Sequence, residues 1–339
     1  MHGLVLGKFW PPTAGHAHLI ATAADGCDRL SVLVMAARWE DLALATRVRW
    51  LRETFAHRPH VRILGIHDDV RVDYDDPEVW DQHMALVALA VAEPVDVVFT
   101  SEAYGGELAR RLGALEVCVD LDRDAVPVSG TAARANPAAV WAHLLPPVRG
   151  WLARRVVVVG AESTGTTTLA RALAARYGTR WVPEYGRAYT QAKIVAAGSL
   201  DAVAWERWDF EAIAACQTAD EDQAARDGGP VVFADTDAFA TAVWHERYTG
   251  SWDPAIAGPL PPRDLYLLTE AADVPFEQDG IRDGEHLRTW MTERFRALLT
   301  AGDVPWLALA GPPAVRLALA AAAVDALLAR PVWPDRVGR

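Results

Sequence analysis

The chain has 339 residues, of which 51% are apolar and 23% are charged, and its formal net charge is −12. This length exceeds what one compact core of ordinary size holds, so we expect two globular domains. The acidic balance argues against a nucleic-acid-binding surface, which needs clustered Lys and Arg, and the longest apolar runs are interrupted by charge or proline before they could span a membrane.

Cysteine usage and the start of the chain bear on the cellular compartment. Cys27, Cys118 and Cys216 are far apart and form no CxxC pair, which favours a reducing cytoplasm over a disulfide framework or a zinc site. The first twenty residues contain Lys8 and two prolines, so we expect no export signal. We therefore predict a cytoplasmic protein, and the sequence leaves the formation of a homo-oligomer open.

Short β-rich runs alternate with stretches rich in Ala, Leu and Arg, which is typical of parallel sheets built from βαβ units. Strand candidates in the first half are LVLGKF, LSVLVMAA, VRILGI, VDVVFTS and EVCVDL, and in the second half RRVVVVGA, TRWVPEY, PVVFADT, DLYLLTE and PWLALAG. Paired prolines and a glycine between Pro147 and Leu152 separate the two sets. We predict an α/β protein with two doubly wound parallel-sheet domains, residues 1–150 and 151–339.

The first strand candidate runs into GKFWPPTAGHAHLI, a proline-containing turn followed by a helix that opens near Gly15. A loop of this kind directs backbone N–H groups and the positive end of a helix dipole at an anion. Gly15 lets a phosphate approach closely, and His16 can donate a hydrogen bond to it. The pattern resembles the (H/T)xGH signature of the nucleotidyltransferase superfamily, with Thr13 and His16 at the matching positions.

A second motif, VPVSGTAAR at residues 126–134, resembles the SxTxxR element of the same enzymes. Ser129 and Thr131 would cap a helix whose first turn presents Arg134 to phosphates. Two such motifs in this order predict a Rossmann-like nucleotidyltransferase domain. The resemblance implies that His16, Lys8 and Arg134 are catalytic and that the nucleotide also contacts Gly7, Phe9, Thr13, Gly15, Ser129 and Thr131.

The second half opens with RRVVVVGAESTGTTTLARAL, a β-branched strand that runs into a glycine-rich loop and a helix. A Walker A loop reads GxxxxGK[ST], and here Thr166 stands in the place of the lysine. Backbone N–H groups would still surround phosphates, and the Thr167 hydroxyl could still ligate Mg²⁺. The pattern predicts a P-loop kinase domain whose nucleotide-binding residues are Gly160, Glu162, Ser163, Gly165, Thr166, Thr167 and Thr168.

Two later strands end in carboxylates. WVPE ends at Glu184, and PVVFADTD ends in Asp235 and Asp237. Ligands of open α/β sheets bind outside the carboxyl ends of the strands. We therefore expect Glu184 or Asp235 to orient a substrate hydroxyl, and Thr167, Asp235 and Asp237 to hold Mg²⁺.

The segment DLYLLTEAADVPFEQDGIRDGEHLR predicts a strand followed by a charged, glycine-containing lid that closes over phosphates, although a plain surface loop is the alternative. Arg282 and Arg288 are candidate lid arginines. Arg187 and Arg282 are expected to bind nucleotide and to supply the charge of the missing lysine. PWLALAGPPAVR predicts a last strand and a turn that either holds an adenine or only connects two elements.

These motifs, together with TSEAYG in the first half and EYGRAY, DTDAFAT and LYLLTEAADVPFEQDGIRD in the second, look like the bifunctional NadR-type family. That family joins a nicotinamide-mononucleotide adenylyltransferase to a ribosylnicotinamide kinase, and the resemblance covers nearly the whole chain. It implies nicotinamide riboside, nicotinamide mononucleotide and ATP as substrates, with ATP and Mg²⁺ as cofactors. It also implies two steps, phosphorylation of the riboside 5′-hydroxyl and attack of the mononucleotide phosphate on the α-phosphorus of a second ATP.

The sequence departs from that family at Thr166 and at Thr13, where relatives usually have histidine. Some members carry an N-terminal helix-turn-helix, and we expect none here because the first motif begins at Gly7. The pyridinium ring of the substrates could bind the aromatic faces of Trp244, Tyr248 and Trp252.

Three other functions compete with this interpretation. A riboflavin kinase joined to an FAD synthetase has a β-barrel kinase without a P-loop, so residues 155–173 argue against it. Thr166 favours a C-terminal domain that binds nucleotide only as a sensor. A DNA-binding regulator is disfavoured by the net charge.

Overall fold

The computed structural model describes residues 1–200, 202–272, 274–279, 282 and 284–337. Two compact units are present, the first formed by Met1–Leu152 with Trp333–Arg339 and the second by Ala153–Val332. All ten predicted strands occur, and both sheets are parallel. Alternation of strands with helices thus gives an α/β architecture in each unit.

The first unit is built on a five-stranded sheet in the order β3-β2-β1-β4-β5. Apolar runs such as SVLVMA in the second strand are buried on both faces, as expected when helices cover both sides of a parallel sheet. The strands are β1 (His2–Gly7), β2 (Arg29–Ala36), β3 (Val61–His67), β4 (Val97–Thr100) and β5 (Leu115–Cys118).

Six helices follow these strands. They are α1 (Ala14–Asp25), α2 (Leu44–Thr54), α3 (Pro77–Val91), α4 (Gly105–Leu112), α5 (Gly130–Ala135) and α6 (Pro146–Leu152), with a 3₁₀ helix at Pro137–His143. Leu19 and Ile20 of α1 pack into one core layer with Val5 of β1. The helix therefore begins immediately above the end of β1, at the point where the strand order reverses and ligands of such sheets bind.

The second unit has a sheet in the order β10-β9-β6-β8-β7. Its strands are β6 (Arg154–Gly160), β7 (Trp181–Val182), β8 (Val231–Asp235), β9 (Leu265–Thr269) and β10 (Trp306–Leu309). The central strand β6 carries four consecutive valines, and all four are buried. β-Branched residues suit such a central strand because both of its faces are covered.

Helices of the second unit are α7 (Thr166–Tyr177), α8 (Tyr185–Ala197), α9 (Arg207–Asp227), α10 (Ala238–Thr249), α11 (Arg288–Ala301) and α12 (Pro313–Leu328), with 3₁₀ helices at Pro254–Ala257 and Glu285–Leu287. The carboxyl ends of β6 and β8 lie side by side, since Val158 pairs with Asp235. This register brings the end of the glycine-rich loop and a strand-end carboxylate to one edge of the sheet.

The end of the chain departs from the predicted division at residue 151. The last helix, α13 (Val332–Val337), places Trp333 in the first unit, where its ring meets Trp151 edge-on at 5.6 Å. The sequence gives no sign of this because α13 is a short segment with no motif. Gly338 and Arg339 of the predicted 151–339 domain lie outside the described residues.

Candidate active sites

A cavity of about 910 Å³ opens at the end of β1 in the first unit. Its wall includes His16 from α1, Lys8 from the loop after β1, and Arg134 from α5. The three residues predicted to be catalytic in this half are therefore brought together, although 126 positions separate the first from the last. The volume is within the range of sites that bury a small-molecule ligand.

His16 closes the N-terminus of α1 through a capping box with Thr13. The backbone N–H of Thr13 donates to His16 Nδ1 at 3.0 Å, and the Thr13 hydroxyl lies 2.9 Å from the same nitrogen. Because Nδ1 accepts a backbone hydrogen bond, the proton of the neutral ring is on Nε2. His16 therefore acts as a fixed N–H donor at the positive end of a helix.

The electrostatics of the site keep this histidine uncharged. Burial, with a smaller contribution from the positive charge of Arg123, lowers the pKa of His16 to about 4. The ring also packs 5.1 Å from Phe9, which is 1% exposed and has a φ of 48°. Phe9, which is predicted to contact nucleotide, borders the same cavity, and its ring packs in the core against His16, which fixes the imidazole.

Lys8 is held by a carboxylate that the sequence analysis did not select. Its Nζ lies 2.8 Å from Glu40 Oε1, and Glu40 Oε2 accepts from the buried Arg47 at 2.6 Å. Arg47 also donates to the backbone carbonyl of Lys8 at 3.0 Å. Glu40 and Arg47 follow β2 without any recognisable motif, so only the parallel pairing of β1 with β2 shows that they support the loop.

Arg134 is oriented by the loop that contains Trp10. Its guanidinium lies 4.0 Å from the centre of the Trp10 ring and donates to the Trp10 carbonyl oxygen. Gly130 makes this approach possible, because a Cβ there would lie 2.7 Å from that oxygen. Ser129 caps α5 as predicted, accepting from the Ala132 N–H at 3.1 Å.

The remaining predicted contacts of this half line the same cavity. Thr131 is exposed, and its hydroxyl accepts from Arg134 at a long 3.4 Å. Gly7 and Gly15 both border the cavity. A Cβ at either glycine would meet its nearest neighbour at 3.5 Å or more. Neither glycine is therefore required by protein packing, and the space above them is available to a ligand.

Aromatic residues form another wall of the cavity. Tyr74 stacks on Tyr104 at 5.6 Å and Trp80 meets Tyr104 edge-on at 6.5 Å. Tyr74 is 60% exposed. Faces of this kind attract a cationic ring. Tyr104 belongs to the TSEAYG motif, whereas Tyr74 and Trp80 had no sequence signal.

In the second unit, the loop between β6 and α7 has the geometry of a P-loop. Gly165 and Ser163 adopt left-handed backbone conformations, with φ of 85° and 56°. Gly160 cannot be replaced without a clash, since a Cβ there would lie 2.3 Å from the Thr269 hydroxyl. Thr164 closes the turn by donating to the Ala161 carbonyl at 2.7 Å. The loop therefore turns tightly before α7 begins at Thr166.

The threonines at the start of α7 turn toward a strand-end carboxylate. Thr167 donates to Asp235 Oδ2 at 2.5 Å, and the hydroxyl of Thr166, in the lysine position, acts with it to lower the pKa of this carboxyl group. Thr168 is exposed in the same helical turn. Thr167 and Asp235 are thus brought together as predicted, and their oxygens are of the type that Mg²⁺ prefers.

Glu184 and Asp235 form a pair of interacting acids. Burial, followed by the negative charge of Asp235, raises the pKa of Glu184 to about 7, while Arg187 opposes the shift. Burial also raises the pKa of Asp235, against the hydroxyl bonds of Thr167 and Thr166. Two interacting carboxyl groups with raised pKa values are suited to accepting a proton.

Gln217 of α9 forms hydrogen bonds with the backbone next to both acids, Glu184 and Asp235. Its side-chain oxygen accepts from the Tyr185 N–H at 2.9 Å, and its amide donates to the Thr236 carbonyl at 3.3 Å. Tyr185 follows Glu184, and Thr236 follows Asp235. Gln217 is 1% exposed, and a single glutamine inside a long helix gives no sequence signal of this role.

The structure separates Asp237 from this pair. Its carboxylate is fully buried and accepts from Arg263 at 2.9 Å, from Tyr266 at 2.8 Å and from the Ala240 N–H at 3.0 Å. The prediction that Asp237 ligates a metal is therefore corrected, because it serves as the cap of α10 and as the partner of a buried arginine. β8 ends at Asp235 and the chain turns at Thr236, whose φ is 68°, so Asp237 lies beyond the strand as the cap of α10 and has different surroundings.

The predicted lid contacts the P-loop through its described residues. Glu162 accepts from the Gly284 N–H at 2.8 Å and pairs with Arg247 at 3.3 Å. Ser163 exchanges hydrogen bonds with the backbone of Glu277 at 3.2 and 3.3 Å. Asp273, Gly280, Ile281 and Asp283 of the predicted lid lie outside the described residues.

Three arginines around the P-loop have different environments. Arg187 and Arg282 both pair with Asp279, at 2.6 and 3.6 Å, and both lower the pKa of Glu184. Arg288 instead donates to the carbonyls of Ser163 and Val274. Arg187 and Arg282 are therefore the cations near the acidic pair, whereas Arg288 braces the backbone of the loop.

Arg316 of α12 ties the P-loop to the predicted adenine turn. It is 5% exposed and donates to the carbonyls of Thr164, Glu270 and Gly311 at 2.7, 3.0 and 2.7 Å. Gly311 has a φ of 86° and ends the turn before α12. One buried guanidinium thus fixes three strand-end loops, which the sequence did not predict.

The three aromatic residues predicted to bind the pyridinium ring already have arginines of the chain itself over their rings. Arg247 lies over Trp244 at 5.0 Å and over Tyr248 at 4.7 Å, and Arg294 lies over Trp252 at 5.0 Å. A pyridinium would have to share or displace these contacts.

Two further structural findings concern metal ions and membranes. Within the described part of the chain, no three His, Cys, Asp or Glu side chains are grouped so that they could hold a metal ion. No helix found in those same ranges is both long enough and apolar enough to cross a bilayer.

Comparisons with known proteins agree with the two-unit architecture. A family described as an AAA domain matches residues 155–316. The trifunctional NAD biosynthesis/regulator protein NadR of Escherichia coli strain K12 is 30% identical over 298 residues, which are 83% of this chain and 71% of that protein. The protein of the same name from Salmonella typhimurium strain LT2 is 29% identical over equal shares of the two chains.

Solved structures of similar fold cover both units. A crystal structure of NadR protein in complex with NR is matched with a TM-score of 0.70 and 23% identity, covering 98% of this chain and 97% of that one. Another, of NadR protein in complex with NAD and AMP-PNP, has a TM-score of 0.68 and 22% identity, covering 97% and 96%.

Proposed function

Since this chain belongs to the NadR family, we propose that it is a cytoplasmic NAD salvage enzyme whose first unit transfers AMP from ATP to nicotinamide mononucleotide. The observation that carries this proposal is the convergence of His16, Lys8 and Arg134 on one cavity at the end of β1. The strand order of that unit, β3-β2-β1-β4-β5, agrees with a Rossmann-like nucleotidyltransferase domain.

The first unit would act by positioning and charge stabilisation. The mononucleotide phosphate attacks the α-phosphorus of ATP, and pyrophosphate leaves. The neutral His16 donates its Nε2–H to the phosphates, while Lys8 and Arg134 stabilise the charge that spreads over them. A covalent enzyme intermediate is unnecessary because the attacking phosphate oxygen is already anionic. The stacked Tyr74 and Tyr104 offer the pyridinium ring an aromatic face.

The second unit would phosphorylate nicotinamide riboside with ATP. Glu184 accepts the proton of the 5′-hydroxyl as that oxygen attacks the γ-phosphorus, which suits a carboxyl group whose pKa is about 7. Asp235 and the Thr167 hydroxyl would hold a Mg²⁺ ion, which when bound would supply positive charge to offset that of the phosphates. Asp235 and Thr167 lie 2.5 Å apart in its absence, so their oxygens can face the same ion.

Arginine would replace the missing lysine in this unit. Arg187 and Arg282 approach the acidic pair from α8 and from the lid, and Asp279 links them. A bound γ-phosphate would compete with Asp279 for both guanidinium groups, which suit phosphate through bidentate hydrogen bonds. A second candidate function, a unit that binds nucleotide without turnover, is favoured by Thr166, which leaves the lysine position without a positive charge.

Chromatography of reactions containing nicotinamide riboside, nicotinamide mononucleotide or both, with ATP and Mg²⁺, tests both units. We expect the riboside to be consumed and NAD to form. Arg187→Met should lower kcat/KM for the riboside by about 10²-fold, because it removes a cation from the transferred phosphate. Arg176→Met is the matched control, since Arg176 is exposed in the last turn of α7.

Three results of this experiment would count against parts of the proposal. If mononucleotide yields NAD while riboside is untouched, the second unit is a binding module. If Thr166→Lys then restores riboside phosphorylation, the loss is due to the missing lysine. If neither compound reacts, the proposed function of both units is wrong.

A further inference from the structure

We propose that Asp41 is a positioning residue for adenylyl transfer, because its carboxylate joins the indole of Trp333 to the indole of Trp10 in the phosphate loop. This inference rests on the proposed function of the first unit. It concerns a residue that touches none of the reacting groups and that acts through Trp10 and Arg134.

The contacts at Asp41 use both of its oxygens. Oδ1 accepts from Trp10 Nε1 at 2.7 Å, and Oδ2 accepts from Trp333 Nε1 at 2.8 Å. An indole N–H is a donor only, so each ring needs an acceptor in a fixed direction. One carboxylate therefore sets the orientation of two tryptophans that are 323 positions apart in the chain.

Trp333 is well anchored on its other side. Its side chain is 5% exposed, and its ring meets Trp151 at 5.6 Å, which in turn meets the buried Trp50 of α2 at 5.5 Å. This row of three rings belongs to the first unit. Asp41 is exposed, and its position is consequently defined by a rigid neighbour and not by burial.

Trp10 in turn supports the catalytic Arg134. Arg134 lies over the Trp10 ring at 4.0 Å and donates to the Trp10 carbonyl, while Arg47 lies over the same ring at 5.3 Å. Rotation of the indole would remove the surface on which Arg134 rests. The negative charge of Asp41 also favours the charged form of Arg134, opposing the effect of burial on its pKa.

The test compares steady-state adenylyl transfer by wild-type protein and by Asp41→Ala, Asp41→Asn, Trp333→Phe and the Asp41→Ala/Trp333→Phe double variant. Phe at 333 keeps an aromatic ring against Trp151 but removes the indole N–H donor and part of the ring volume. The matched control is Trp290→Phe, which alters a tryptophan of α11 that is 41% exposed. The thermal unfolding midpoint of each variant is recorded beside its kinetic constants.

We expect kcat to fall about tenfold in Asp41→Ala and about threefold in Trp333→Phe, because a small displacement of Arg134 weakens transition-state contacts. KM for nicotinamide mononucleotide should stay within about twofold, since Asp41 does not line that part of the site. Asp41→Asn, which retains one acceptor oxygen, should recover part of the loss. The double variant should be no worse than Asp41→Ala, because both changes break the same link.

Several results would overturn the inference. A wild-type kcat in Asp41→Ala would do so, and so would losses that multiply in the double variant. A fall in kcat that follows a lowered unfolding midpoint in every variant would indicate a structural role only. Wild-type protein that forms no NAD would show a different pattern, because it refutes the proposed function and this inference together.

Discussion

The two phosphate loops of this protein differ in where their positive charge is held. In the first unit, Lys8 lies in the loop itself and is paired with the buried Glu40. In the second unit Thr166 stands in the place of the lysine, beside Asp235, which in turn interacts with the acid Glu184. Its cations, Arg187 and Arg282, come from α8 and the lid.

The first loop therefore contains its own positive charge, whereas the second depends on arginines from other segments of the chain. The first loop is supported by Arg47 and by the His16 capping box, independent of substrate. In the second, Asp279 pairs with both arginines, so a bound phosphate would have to compete with it. We expect the activity of the first unit to depend less on pH than that of the second. Three experiments test how the two units differ.

The largest effect should come from a change at Asp237. The sequence predicts a metal ligand at this position, whereas in the structure the carboxylate is buried in the core of the second unit. Asp237→Ala removes the partner of Arg263 and Tyr266. Because one half of a buried ion pair is lost, the free energy of unfolding should fall by about 3–5 kcal/mol. Chemical denaturation measures this, and Asp235→Asn is the matched control.

That control should change unfolding much less than Asp237→Ala. The raised pKa of Asp235 means that its ionised form is costly in the folded protein, so a neutral amide is tolerated. Equal unfolding curves for the two variants would refute the distinction between a structural Asp237 and a functional Asp235.

A smaller effect, on activity alone, is expected from His16→Ala. Loss of the Nε2–H donor should lower kcat for NAD synthesis from mononucleotide by about 10²–10³-fold. Riboside phosphorylation by the same variant should be unchanged. His57→Ala, at an exposed position after α2, provides the control. Retained adenylyl transfer in His16→Ala would remove the main support for the proposed function of the first unit.

The smallest effect is a difference in pH dependence between the two units. Glu184 must be deprotonated to accept a proton, and its pKa is about 7. Riboside phosphorylation should therefore rise about tenfold between pH 6 and pH 8. His16, with a pKa of about 4, stays neutral throughout that range, so adenylyl transfer should show no loss from its protonation. Initial rates of each half-reaction at fixed ATP and Mg²⁺ measure both profiles, and parallel profiles would contradict the assignment.

Local pattern was enough to locate both loops. The run of β-branched residues in β6 and the glycines after it indicate a P-loop because Gly165 adopts a left-handed backbone conformation that glycine reaches without strain. Likewise, Thr13 and His16 cap α1 from within four residues. All ten strands could be predicted for the same reason, since each is a short run rich in β-branched or other apolar residues, whether it is buried like β6 or exposed like β5.

The amino-acid sequence was therefore enough to predict the fold class, the two loops and the catalytic candidates that lie within motifs. Only the tertiary structure decided the side chains that position them, because Glu40, Gln217, Arg316 and Trp333 reach their partners across 32 to 292 positions of the chain. It also separated Asp235 from Asp237. Burial and the charges of distant neighbours decide whether a carboxylate is structural or functional, and these are properties of the folded chain alone.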